Sequence, residues 1–376
     1  MQIRYCKRCL MPDSRPRIFF DDNGVCNACH TAEEKNNIDW DARRNEFLEY
    51  VEKYRRPGAE YDCVVPWSGG KDSSAIAHKL KFEFGLNPLL VTFSPLVANE
   101  VGVHNREEML KLGFDHIMVR PNQRVSRHLA RRFFDERGNP KIHWDAGINS
   151  APVQVAVKYN IPLIFYAEHG ESEYGGRVLS EEHRKIRDYT EVLEHQIGDD
   201  PRNWMDDVVQ ERDLAPYLYP DLDDVASVGI NAFYFAYFFR WSMYENYQYI
   251  ADKIDFRLAD SGRTNGSFTN YDSLDDKIDD VYYYMQYVKF GFGRAVRDAC
   301  RLIHNKHITR EQGLEYALQY DGEYPTDHLP DALEYLGLDE AEFNRIVDLH
   351  RNDEVWKFEG NEWKLRYPLS ADIFNR

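Results

Sequence analysis

The chain has 376 residues, 43% hydrophobic and 14% aromatic, which is enough for a buried core in two or three domains and excludes a disordered protein. A formal net charge of −17 argues against a surface made to grip a polyanion, so nucleic acid is not an expected partner. No stretch reaches the ~18 uninterrupted apolar residues of a membrane span, and the opening MQIRYC is no apolar signal segment, so the expected location is the cytoplasm.

Four of the six cysteines open the chain in one pattern, Cys6-x2-Cys9-x16-Cys26-x2-Cys29. Two paired knuckles at this spacing suit a tetrahedral Zn2+ ion, with Gly24 turning the chain before the second pair. A pair of disulfides or an iron–sulfur cluster are the alternatives. His30 is surplus to a set of four thiolates and reads as a surface histidine. Residues 1–36 are therefore expected to be a zinc knuckle. Trp40, Phe47, Leu48 and Val51 fall near helical spacing in 40–55, and Pro57-Gly58 ends that pattern, so 37–58 reads as a linking helix. Its apolar face would pack on its own chain or on a partner.

From residue 61 apolar runs alternate with helical patterns, the signature of a parallel α/β sheet. Strands are expected at 61–67, 88–93, 115–119 and 162–167, with helices at 73–84, 105–112, 124–136 and 150–159. Ligands of such sheets bind at the carboxyl ends of the strands. Three segments fall there: 68–74, 94–96 and 168–171. The first, Ser68-Gly69-Gly70-Lys71-Asp72-Ser73-Ser74, joins a strand to a helix through two adjacent glycines. Such a turn aims backbone N–H groups and a helix N-terminus at an anion, with three hydroxyls and a lysine beside it. It lacks the spacing of a Walker A loop. In Glu168-His169-Gly170-Glu171, carboxylates flanking an imidazole could hold Mg2+, orient a substrate or move a proton. Arg177 follows on the same rim, facing either a phosphate or carboxylate or solvent.

Residues 181–225 are charge-rich and are expected to cover the sheet. The aromatic run at 230–239 reads as a buried strand, with a buried helix as the alternative. The polar loop 261–271 holds Arg263 and Thr264, suited to an anionic sugar or phosphate unless the loop is a linker. Helical patterning resumes at 272–300, broken by glycines within 289–294, where Lys289 and Arg294 are further candidate cations. Beyond Thr309, a capping-box residue, the tail reads as helical. The expected layout is thus 1–36 knuckle, 37–58 linking helix, 59–271 α/β domain and 272–376 helical region.

SGGKDS resembles the PP-loop of the N-type ATP pyrophosphatases. Taken with YCKRCLMP, GVCNAC, NPLLVTFSP, EHG, FFRW, GRTNGSFTNYDSLDDKID and KFGFGRAVRDAC, nearly the whole chain is similar to the N-acetyl sugar amidotransferases. That resemblance implies a PP-loop fold and an ATP-dependent reaction: an acetamido oxygen of a nucleotide-linked sugar attacks the α-phosphate, pyrophosphate leaves, and ammonia displaces AMP to give an acetamidino group. It implies ATP held at Ser68–Ser74, a catalytic part for Lys71, Asp72, Glu168 and His169, and Mg2+ and Zn2+ as cofactors. The implied substrate is a UDP-linked diacetamido mannuronic acid in surface-polysaccharide (LPS O-antigen) synthesis. Neither Cys63 nor Cys300 has the flanking glycines of a nucleophile elbow, so the chain is expected to lack a glutaminase of its own. The family implies ammonia from a separate histidine-pathway-like glutaminase subunit with a cyclase-like companion. The rival reading is a PP-loop tRNA-modifying enzyme with a zinc knuckle, such as a thiolase.

Overall fold

The computed structural model describes residues 3–370 apart from 179 and 188. At its centre five parallel strands run in the order β3-β2-β1-β4-β5, with β1 Cys63–Pro66, β2 Pro88–Phe93, β3 Asp115–Val119, β4 Leu163–Tyr166 and β5 Asn231–Tyr234. Cys63, Val64 and Val65 of β1 and all of β2 are buried, because a parallel strand covered on both faces has no polar side to show. The register pairs Cys63 with Pro88 and Val64 with Ile164. The chain order therefore reverses between β1 and β4, and the crevice at that switch point lies between the loops after Pro66 and Tyr166.

Helices cover both faces. The helix Trp40–Tyr54, capped by the Asp39 carboxylate, buries Phe47 and Val51 against Phe165, Phe233, Phe235 and Phe238. Its apolar face is thus spent on its own chain. On the other face, Ile142–Tyr159 is longer than the expected 150–159 and carries Pro152 within it. Gly147 lies directly against the Phe93 ring, where any side chain would collide.

Two expectations are corrected. Residues 230–239 are not one strand: β5 ends at Tyr234, and Phe235–Phe238 is a single helical turn. A strand would send successive aromatics to opposite faces, whereas the turn brings Phe235 and Phe238 together onto Phe47. The tail is not wholly helical either. After Glu340–Leu349 it ends in an antiparallel hairpin, β6 Trp356–Glu359 and β7 Glu362–Leu365, turned by Gly360 and Asn361, both at φ +65°. The capping box is present, Thr309 and Gln312 each bonding the other's backbone N–H.

The C-terminal region is laced onto the sheet. The Asp276 carboxylate accepts from the N–H groups of Leu96 and Val97 (3.0 and 3.1 Å), and Asn99 donates to the Asp275 carbonyl. No helix among the described residues is long and apolar enough to cross a membrane.

Candidate functional site

The turn after β1 has the form its sequence requires. Gly69 takes φ +89° with the Arg106 side chain packed directly against it, so only glycine fits. The Ser68 hydroxyl accepts from the Gly70 N–H (3.1 Å), and the Ser73 hydroxyl from the Ser68 N–H (3.3 Å). Gly70 caps the helix Lys71–Phe82, whose first N–H groups have no partner within the helix. Ser68, Gly70 and Ser73 keep partial exposure. Ser74 does not: it is fully buried and accepts from the Trp67 indole (2.9 Å), so it serves the packing beneath the turn.

Lys71 is also buried. Its ammonium pairs with Asp72 (2.9 Å) and with Asp272, which reaches over from the C-terminal region. Burial alone would lower the Lys71 pKa, but Asp272 and Asp72 together hold it well above the ordinary lysine value. Burial likewise works to raise the Asp272 carboxyl, and Lys71, Arg297, Arg294 and Arg301 overcome it, holding that group far below the usual carboxylate range. Asp72 accepts from the Asn246 amide (2.9 Å). The turn is therefore bound to residues 240–300 by charge as well as packing.

At the end of β4, Glu168 accepts from the Tyr174 hydroxyl (2.9 Å). Its pKa is raised, first by burial and then by the nearby negative charge of Asp72. His169 is buried, its Nδ1 3.1 Å from the Ser172 hydroxyl and its ring against Tyr234 and His183. Glu168 and Asp72 thus face one another electrostatically across the switch point, as the sequence pairing of the two strand ends implies.

Beside His169 opens a cleft of about 560 Å³, lined in part by Arg15, Tyr174, Tyr282, Gln286, Lys289 and Arg301. The residues of the 68–74 turn do not line it. A second cavity of about 240 Å³ shares Arg15, Tyr174, Tyr282, Gln286 and Arg301. The predicted substrate residues divide. Lys289 lines the larger cleft, its ammonium 3.3 Å from the Arg137 carbonyl. Arg294 is 1% exposed and is held by the Asp272 carbonyl (2.7 Å) and by Asp298 (3.7 Å). Arg263 is clamped in a two-pronged pair to Glu323 (both bonds 2.7 Å), and the buried Thr264 hydroxyl donates to the Thr269 carbonyl. Arg177 is exposed, its N–H bound to Glu171. Arg15, Tyr174 and Arg301 were missed. One signal for Arg301 was available: Arg294, Arg297 and Arg301 fall on one face of the helix Arg294–His304.

The four knuckle cysteines are buried with all sulfurs within 4.8 Å of one another. Cys6 and Cys29 sulfurs are 3.8 Å apart and those of Cys9 and Cys26 3.6 Å. A tetrahedral ion with sulfur bonds of ~2.3 Å needs sulfurs roughly 3.8 Å apart, so the set fits a metal such as zinc. The N–H groups of Arg8 and Met11 point at Cys6 and Cys9 sulfurs, as around thiolates. His30 lies outside the set, paired with Asp21 at 3.0 Å. The knuckle rests on the C-terminal region: Arg310 donates to the carbonyls of Cys9 and Cys6 (2.8 and 3.0 Å).

Residues 265–369 match the family model described as LPS biosynthesis protein WbpG-like, C-terminal domain. That segment supplies Asp272 to the turn after β1 and Tyr282, Gln286, Lys289 and Arg301 to the cleft. No curated protein matches the chain.

Proposed function

From a chain that carries the C-terminal domain of the WbpG-like LPS biosynthesis proteins, we propose an ATP-dependent, AMP-forming amidotransferase acting on a nucleotide-linked, N-acetylated sugar. The observation that carries this reading is the meeting of a glycine turn at a helix N-terminus with a domain of that family: Asp272 pairs with Lys71, and the cleft beside His169 is walled in part by the same domain. The turn's helix N-terminus and glycine backbone would receive the β- and γ-phosphates of ATP, leaving the α-phosphorus open toward Glu168 and the cleft. An acetamido group entering from the cleft side would attack through its oxygen, pyrophosphate would leave, and ammonia would then displace AMP from the adenylated carbon.

Buried Lys71, fixed between two carboxylates, would hold the turn in shape and bring positive charge to the leaving pyrophosphate. Asp72 and Glu168 are the oxygen donors suited to Mg2+, which when bound would neutralise charge on the phosphates. Where Asp72 alone holds the ion, Glu168, raised toward the neutral form and bonded by Tyr174, would instead exchange a proton with the attacking amide or with ammonia. Zinc at Cys6, Cys9, Cys26 and Cys29 has a folding role in this scheme. Ammonia would come from a separate glutaminase subunit with its cyclase-like companion, and the resemblance points to a UDP-linked diacetamido mannuronic acid as substrate. A tRNA substrate is disfavoured by the charge of −17.

The test is to supply purified protein with ATP, Mg2+, ammonium at alkaline pH and the UDP-linked diacetamido uronic acid, and to follow the sugar by mass spectrometry. Replacement of one acetamido oxygen by NH is expected. Turnover of bulk tRNA with an unchanged sugar would favour the tRNA-modifying reading instead.

A further inference from the structure

Three cations of the large cleft make no ion pair with a carboxylate among the described residues, although the chain has 64 acidic against 47 basic residues. Arg301 makes no ion pair among the described residues. Its guanidinium lies over the Tyr174 ring at 3.8 Å, one terminal nitrogen reaches the Met243 sulfur (3.2 Å), and its buried Nε has no partner. Asp272 and Asp298, the nearest acids on its side, are spent on Lys71, Arg294 and Arg297. Arg15, reaching in from the knuckle, donates to the Gly175 carbonyl and to no carboxylate. Burial lowers its pKa, Glu171 works against that, and the like charge of Arg301 works with it. Among the described residues Lys289 bonds a carbonyl and no carboxylate, and burial lowers its pKa.

Burial weakens both arginine charges and acids nearby offset it without pairing directly: Glu171 supports Arg15, while Tyr174, Asp298 and Asp272 hold the Arg301 pKa above its ordinary value. Glu171 is held by Arg17 (3.1 Å) and by the Arg177 N–H (2.7 Å). Asp145 is pushed up to about 7 by burial, so it is partly protonated near neutrality. Unpaired cations that repel one another in a buried cleft weaken the fold, and such arrangements are kept where a ligand supplies the missing charge.

We propose that Arg15, Lys289 and Arg301 form an anion subsite, distinct from the Ser68–Ser74 turn, that holds the anionic part of the sugar substrate. The occupant is a phosphate or carboxylate group: the diphosphate of a nucleotide sugar or the carboxylate of a uronic acid. Arg301, at the junction of both cavities, carries most of the recognition, and the planar guanidinium gives it a two-pronged grip that lysine cannot match. The identity of the ligand rests on the amidotransferase reading; the existence of the subsite does not.

The experiment is calorimetric titration of UDP-glucuronic acid, UDP-N-acetylglucosamine, glucuronic acid and a non-hydrolysable ATP analogue into the full-length protein and its Arg301→Gln, Arg301→Lys and Lys289→Met variants. Arg301→Gln is expected to weaken UDP-glucuronic acid binding roughly 10- to 100-fold, the loss of a charge-assisted bond, with the ATP analogue unaffected. Arg301→Lys should recover part of the loss. Equal losses for both UDP sugars place the diphosphate in the subsite, whereas a loss confined to UDP-glucuronic acid places the carboxylate there. Thermal melting separates binding from folding, and Lys289→Met gives a second readout should Arg301→Gln not fold. Unchanged affinity for every anion in the folded variants, or equal weakening of the ATP analogue, would overturn the proposal. Arg301-dependent binding of UDP-glucuronic acid by a protein that makes no AMP from ATP would preserve the subsite and remove the amidotransferase reading.

Discussion

Lys71 shows how a residue's surroundings change what its sequence motif implies. In the motif it is a free cation beside a phosphate turn; in the fold it is 3% exposed between Asp72 and Asp272. Lys71→Met would leave half-buried Asp72 with the Asn246 amide alone and Asp272 with Arg297 and Arg294, so a loss of about 1.5–3 kcal/mol is expected in denaturant unfolding, alongside lost turnover. The pairing also sets an acid limit. Asp272 has a depressed folded pKa, so its contribution is full at neutral pH and is lost as pH falls below the unfolded value of about 3.9. Glu168 runs the other way. Its folded pKa is raised, so the unfolded chain gives up that proton first, and the group costs stability as pH climbs above about 4.3. Glu168→Gln should therefore gain stability relative to the native chain as pH rises from 4 to 7, while losing activity. A pH series of melting temperatures checks this, and a difference that does not vary with pH would contradict it. The sequence disclosed Glu168 through its place at a strand end. It could not disclose Arg15, and for Arg301 it offered only a shared helix face with Arg294 and Arg297, because a charge looks the same in sequence whether or not a partner lies beside it in the fold.

Elements were most readable where one period dominated. The strands Pro88–Phe93 and Asp115–Val119 lie where continuous or alternating apolar residues meet turn residues, and the sequence reading has the same bounds. It failed at 230–239, where six aromatics among the last seven residues satisfy both strand and helix periods. The knuckle was legible as spacing, but its packing on the helix Arg294–His304 was not: the Leu10 N–H meets the Cys300 sulfur at 3.4 Å. Because Arg310 also ties Cys6 and Cys9 to the C-terminal region, Cys9→Ser should lower both metal content and melting temperature, in a single transition. Elemental analysis is expected to give one zinc per chain; iron with acid-labile sulfide would contradict the assignment. The helix Glu100–Leu110 meets residues 272–278 just as closely. A Cβ on Gly102 would stand 2.5 Å from the Asp275 Cα, so Gly102→Val should cost about 1–3 kcal/mol and loosen Asp272 from Lys71.

At the scale of the whole molecule, the proposed function rests on three parts brought together at the switch point and the cleft beside it. The sheet supplies the turn after β1 and Glu168-His169 after β4. The WbpG-like domain supplies Asp272, Lys289 and Arg301, and the knuckle supplies Arg15. A sequence read in order assigns each part its own character, and only the fold brings the cations of the first and last parts into one cleft. The central claim is that an acetamido oxygen attacks the α-phosphate of ATP. The most direct measurement is to label that oxygen with the heavy isotope in the UDP-linked sugar, run the reaction with ammonium, and analyse the phosphorus products by NMR and mass spectrometry. The expected result is AMP and pyrophosphate, with the label carried in the AMP phosphate. Release of ADP and orthophosphate, or AMP without label beside a converted sugar, would contradict the account.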